Sequence, residues 1–199
     1  MIELLSNNIT DFFYYNKIIE ENEKEILLYG LQLIISSVIG ISLILSFGII
    51  FNKVIETMIF LVTFIIIRMY SGGYHANSYF KCNVTLIIVY LSIIAAISYT
   101  PSNLILQVSI ILAIMSIYVF LRFAPVDNEN KRLKKQQLEA NRIITLWLLI
   151  TFYSISLVLY KMYIQLFYTV IVTIFLISTL IIFKVKGGRN KWRMLKKRY

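Results

Sequence analysis

The sequence is poor in the residues that build small soluble proteins and metal sites. Its 199 residues hold one cysteine, one histidine and two prolines, and only 15% are charged. A single thiol closes no internal disulfide. One His and one Cys fall short of the four ligands of a usual zinc site, so neither a disulfide framework nor a structural metal accounts for them. Acids are scarce as well: 10 against 20 bases, a formal net charge of +10. No soluble basic domain accompanies that excess, which argues against nucleic acid and for membrane orientation, anionic lipid or an acidic partner. A cleavable signal is also missing. The run Ile18-Ile19-Glu20-Glu21-Asn22-Glu23-Lys24-Glu25 stands where an apolar h-region would begin, so the first span is expected to insert uncleaved.

Apolar residues are abundant. They make up 59% of the chain and give a mean hydropathy of +0.76, more apolar surface than a core of this size buries. Lipid must be the solvent for much of it. A bilayer core of ~30 Å needs about 20 helical residues, and six stretches qualify, at about 26–51, 54–70, 84–99, 103–121, 143–160 and 163–183. The fold class is therefore an all-α polytopic membrane protein, a single integral membrane domain over 1–199. The first stretch has no charge and carries Ser36, Ser37, Gly40 and Gly48, small enough for close helix approach and compatible with a homodimer. The second is short, with Glu56 and Arg68 near its ends. Thr100-Pro101-Ser102 and the turn around Lys161-Met162 are so brief that spans three and four, and five and six, must form antiparallel hairpins.

Lys and Arg resist translocation. With the N-terminus inside, 18 of the 20 fall on inner segments and only Lys53 and Lys161 on outer turns. That split predicts cytoplasmic termini, a basic cytoplasmic tail over 184–199 and a cytoplasmic location for 70–83. The first 25 residues carry apolar positions Ile2, Leu5, Ile9, Phe12 and Phe13 at helical spacing, which fits an interfacial amphipathic helix or a plain lead-in to the first span. The basic residues of 122–142 and the tail serve either as lipid anchors or as an acid-attracting surface. There is no internal repeat.

Most of the reactive side chains lie in Arg68-Met69-Tyr70-Ser71-Gly72-Gly73-Tyr74-His75-Ala76-Asn77-Ser78-Tyr79-Phe80-Lys81-Cys82. A thiol attacks carbonyls as thiolate, and an adjacent imidazole can take its proton, stabilise the anion and later protonate a leaving amine. Taken singly, the cysteine fits packing or palmitoylation and the histidine solvation. Together, after a double glycine and beside Arg68, they make a candidate acyl-transfer site. On a straight helix His75 and Cys82 would stand ~10.5 Å apart along the axis, well beyond a hydrogen bond of ~3 Å. Gly72 and Gly73 are placed to break the helix. A bent or re-entrant segment between spans two and three is expected, lining a polar cavity. Arg68 either snorkels to headgroups, holds that bend or meets a substrate carboxylate. Asn77, Ser78 and main-chain carbonyls are open choices for orienting the imidazole.

Arg68 followed by Gly73, then His75-Ala76 and Cys82 between apolar spans, resembles the accessory gene regulator B family. Phe123-Ala124-Pro125-Val126-Asp127-Asn128-Glu129-Asn130-Lys131 is similar to that family's segment after the fourth span, with Arg132 where members commonly carry proline. The resemblance covers nearly the whole chain. It implies a bacterial membrane cysteine endopeptidase that processes a quorum-sensing peptide precursor, with Cys82 as nucleophile, His75 as base then acid, and no cofactor. It also implies closure of a thiolactone or lactone ring on the acyl-enzyme. The implied partner is a precursor with an amphipathic N-terminal helix and an acidic C-terminal portion, for which Lys131, Arg132, Lys134 and Lys135 are candidate contacts. A small-peptide or solute transporter and a non-enzymatic scaffold are the competing readings. A transporter should carry ionisable groups or broken helices near mid-membrane, often in repeated halves.

Overall fold

The computed structural model describes residues 2–72, 79–126 and 135–196, with side chains as far as 186. These residues form seven α-helices: α1 (Ile2–Tyr15), α2 (Glu21–Ile50), α3 (Val54–Ser71), α4 (Tyr79–Tyr99), α5 (Ile105–Phe123), α6 (Lys135–Met162) and α7 (Ile164–Lys196). Six of them, α2 to α7, are long and apolar enough to span a bilayer, matching the six expected from hydropathy.

The span of α7 lies at the centre. Phe167, Tyr168, Val170, Ile171, Val172, Ile174, Ile177 and Ile181 are all buried there, and α3, α4, α5 and α6 pack around it. Outside that centre the burial pattern of a soluble protein is reversed. Ile110, Ile111, Ile114, Trp147, Ile150, Leu157 and Val158 are more than half exposed, while Ser109, Ser116, Thr145, Ser156, Thr169 and Thr173 are buried. Most of these hydroxyls donate to the carbonyl one turn back, as Thr145 does to Asn141 at 2.7 Å and Thr173 to Thr169 at 2.7 Å, which removes the cost of an unpaired donor in an apolar surrounding.

The peripheral helix α2 packs on α3 and α4 through Ser36, Gly40, Ile44 and Gly48, which recur every four residues and are its buried positions. A Cβ on Gly48 would stand 2.5 Å from Thr57 Oγ1, and one on Gly40 would stand 2.9 Å from Asn83 Oδ1. The small residues are what permit the approach. Lys53 closes the α2–α3 turn, donating to Glu56 Oε1 at 3.1 Å and to Gln165 Oε1 at 2.9 Å. Beside it Thr57 and Tyr90 share a hydrogen bond of 2.7 Å. This polar cluster joins α3, α4 and α7 at the end of the bundle away from Arg68. Glu56 is thereby committed to structure.

Several element ends differ from expectation. The helix α6 is already formed at Lys135, eight residues before the apolar run at Ile143, and α7 is helical as far as Lys196, through residues expected as a tail. Hydropathy detects the part of a helix that meets lipid, whereas Gln, Glu, Ala, Lys and Arg extend a helix beyond it at little cost. The helix α5 starts at Ile105 rather than 103, after a turn closed by Leu104 N–H to Pro101 O at 2.9 Å. The N-terminal stretch is a separate helix, divided from α2 at Lys17 with φ 57° and tied to it by Asp11–Lys24 at 2.7 Å. It turns Ser6 and Thr10 inward, leaving Leu4, Leu5 and Phe12 exposed.

Candidate functional site

The site develops where α3 stops. Arg68 lies one turn before the end, its guanidinium over the Phe64 ring at 5.2 Å. Ser71 is fully buried. The helix then breaks: Gly72 has φ 67° and ψ −153°, a region closed to residues with a Cβ, and its N–H donates to Arg68 O at 3.2 Å. The next helix is described from Tyr79 onward. Residues 70–84 are therefore not one uninterrupted helix: the helix that carries Arg68 ends before His75.

The break is braced from α5. After Phe123 the chain runs through buried Ala124 and a cis Ala124–Pro125 peptide to Val126. Val126 N–H donates to Ser71 O at 3.0 Å, and Gly72 and Val126 form an isolated parallel bridge. A Cβ at Gly72 would collide with the Val126 carbonyl oxygen. Glycine is thus required here twice, by its dihedral angle and by the approach of a second main chain.

Cys82 lies in the first turn of α4. The sequence placed it just ahead of a span starting at Val84; the chain is already helical at Tyr79, whose hydroxyl donates to Gln32 Oε1 on α2 at 2.9 Å. Cys82 is half-buried and its thiol is free. It continues the stripe of Leu86, Tyr90, Ile93 and Ile97, which packs into the core, so it heads the inward face of α4. The guanidinium of Arg68 is close enough to interact electrostatically with it. One turn further along α4, Thr85 marks the edge of a largely apolar cleft of ≈490 Å³ between α4 and α7, with Ile88, Val89, Leu176 and Leu180 in its walls.

Of the residues selected from sequence, the structure places Arg68 within electrostatic reach of Cys82 and Gly72 at the break. Lys135 opens α6 and is exposed. Gly73, His75, Lys131, Arg132 and Lys134, and with them the bent segment itself, lie outside the described residues. Sequence reasoning did not find the Ser71–Val126 pairing or the Gln32–Tyr79 bond. The first had a faint signal, in that a glycine ending a helix often marks a close main-chain neighbour; the second had none.

The family model for accessory gene regulator B matches residues 6–187. An AgrB-like protein of Clostridium perfringens strain SM101 is 32% identical over 168 residues, covering 79% of this chain and 78% of that protein. AgrB-like protein 2 of Clostridium perfringens strain 13 is also 32% identical over 168 residues, with the same coverage. An AgrB-like protein of Clostridium beijerinckii is 28% identical over 197 residues, 96% of this chain and 97% of that protein. No solved structure matches. A six-span helical bundle and a match over most of the chain thus lead to one assignment, which supports a role in quorum-sensing peptide processing: this chain belongs to the accessory gene regulator B family.

Proposed function

We propose that the protein is a membrane-embedded cysteine endopeptidase that cleaves the precursor of a quorum-sensing peptide on the C-terminal side of the signal. The supporting observation is the position of Cys82. The chain's sole thiol heads the inward face of α4 beside Arg68, opposite the glycine-broken end of α3 that leads to His75.

In this reading His75 takes the Cys82 proton and the thiolate attacks the scissile carbonyl. The tetrahedral intermediate collapses to a thioester as the C–N bond breaks, and His75 returns the proton to the leaving amine. The acidic C-terminal fragment departs. A cysteine thiol of the precursor then attacks the thioester carbonyl, closing a thiolactone and releasing Cys82 as thiol; a hydroxyl nucleophile would give a lactone by the same step. The thioester must be kept from water, and the apolar cleft one turn from Cys82 supplies a dry wall against which the acyl chain can lie. Arg68 and the basic residues Lys131, Arg132, Lys134 and Lys135 offer positive charge to the acidic portion. The site belongs at the cytoplasmic face of a bacterial cell membrane, where precursor and anionic headgroups are both present.

Co-expression of a precursor with wild type, Cys82→Ala and His75→Ala tests the reading. Cys82→Ala should lower cleavage on the order of 10⁴-fold or more, as loss of a nucleophile does. His75→Ala should lower it by about 10²- to 10⁴-fold, the range of general acid–base catalysis. Both variants should remain at wild-type level in the membrane. Undiminished cleavage by either removes the proposal.

A further inference from the structure

Of the proposed catalytic pair, Cys82 lies among the described residues and His75 outside them. Cys82 is carried by α4, which is fixed by the Tyr79–Gln32 bond and by packing on α2 and α7. His75 follows α3, three residues beyond Gly72. Three residues span at most about 11 Å fully extended, so the position and direction of Gly72 limit where the imidazole can go. Gly72 is held by Val126 N–H on Ser71 O at 3.0 Å, the parallel bridge between Gly72 and Val126, the close fit that excludes a Cβ and the Ser71 hydroxyl, which donates to Gly72 O at 3.2 Å. Ala124, buried two residues earlier, seats this segment on the core.

We propose that Val126 is a positioning residue whose main chain clamps the end of α3 so that the segment leaving Gly72 delivers His75 to Cys82. The role rests on the reading of His75 and Cys82 given above. It belongs to the Val126 N–H and C=O rather than to the side chain. A displacement of about 1 Å in a catalytic group costs on the order of 10²-fold in rate, and the clamp is the contact best placed to prevent it.

The test uses the full chain in lipid vesicles. Cys82 is its only thiol, so iodoacetamide labelling reports on that residue alone, and every variant retains Arg68. Val126→Pro removes the N–H donor. It should lower labelling at neutral pH to the level of His75→Ala and lower kcat for a precursor by about 10²-fold, leaving KM within about twofold. At about pH 9.5, where a thiol ionises unaided, labelling should equal wild type. Val126→Ile, which keeps the N–H, should restore neutral labelling and kcat. Gly72→Ala, which forces the same two strands of main chain apart, should reproduce the loss and decides the matter should Val126→Pro not insert. Wild-type labelling and kcat in the deciding variant overturn the positioning role. A wild type that labels at neutral pH no faster than His75→Ala removes the His75 reading and the clamp with it.

Discussion

At the scale of the residue, glycine has three different meanings in this chain. Gly72 is fixed by its positive φ and by the Val126 carbonyl. Gly48 is fixed by contact, since its missing Cβ is the space occupied by Thr57. Gly30 has nothing within 4 Å. Gly48→Ala should therefore lower stability by about 1–3 kcal/mol through overpacking, while Gly30→Ala should be neutral or stabilising by up to about 1 kcal/mol through helix propensity. Thermal unfolding in one detergent checks both, and an equal effect at the two positions would contradict the packing. The rarest residues were the most legible in the sequence. Cys82, His75 and Arg68 stood out by type and spacing, and the glycine pair announced the break. The partner of that break did not stand out, because Ser71 and Val126 meet across 55 positions through main-chain atoms that every residue has.

At the scale of the element, the spans were legible because lipid selects by composition along a continuous stretch, and composition is what a hydropathy window reads. Their ends were not. Both α6 and α7 project beyond their apolar parts in Gln, Glu, Lys and Arg, which are good helix formers in water. Glu56 illustrates what spacing can and cannot say: it correctly stood apart from the candidate site, but its partners Lys53 and, through it, Gln165 on α7 were invisible without the fold. The side chain of Glu56 is only 12% exposed. Glu56→Gln should lower the unfolding temperature, since a partly buried ammonium would lose its counter-charge, yet leave the processing rate per folded molecule within about twofold because the cluster is remote from Cys82. A large loss of rate at unchanged stability would assign Glu56 a role in chemistry or transport instead.

At the scale of the whole molecule, charge and packing serve different ends. The core is apolar, with hydroxyls that mostly satisfy themselves within their own helix, and the bases collect in 122–142 and beyond Phe183. If those bases draw in an acidic substrate, processing should weaken as ionic strength rises and the Debye length shrinks from about 10 Å at 0.1 M. Neutralising Lys134, Lys135, Lys196 and Lys197 should reproduce the high-salt rate at low salt while leaving membrane insertion intact. Unchanged processing in that variant would return these residues to simple lipid anchoring.

The central place of α7 also has a meaning in time. It is the helix on which α3, α4, α5 and α6 converge, and it is the last of the six spans to leave the ribosome. Until it inserts, four earlier helices sit in the membrane with their inward faces bare, and the groove between α4 and α7 near Cys82 does not exist. Assembly therefore waits for its central helix, made after the other five spans, and a nascent chain with its nucleophile already made still lacks the wall that would shelter a thioester.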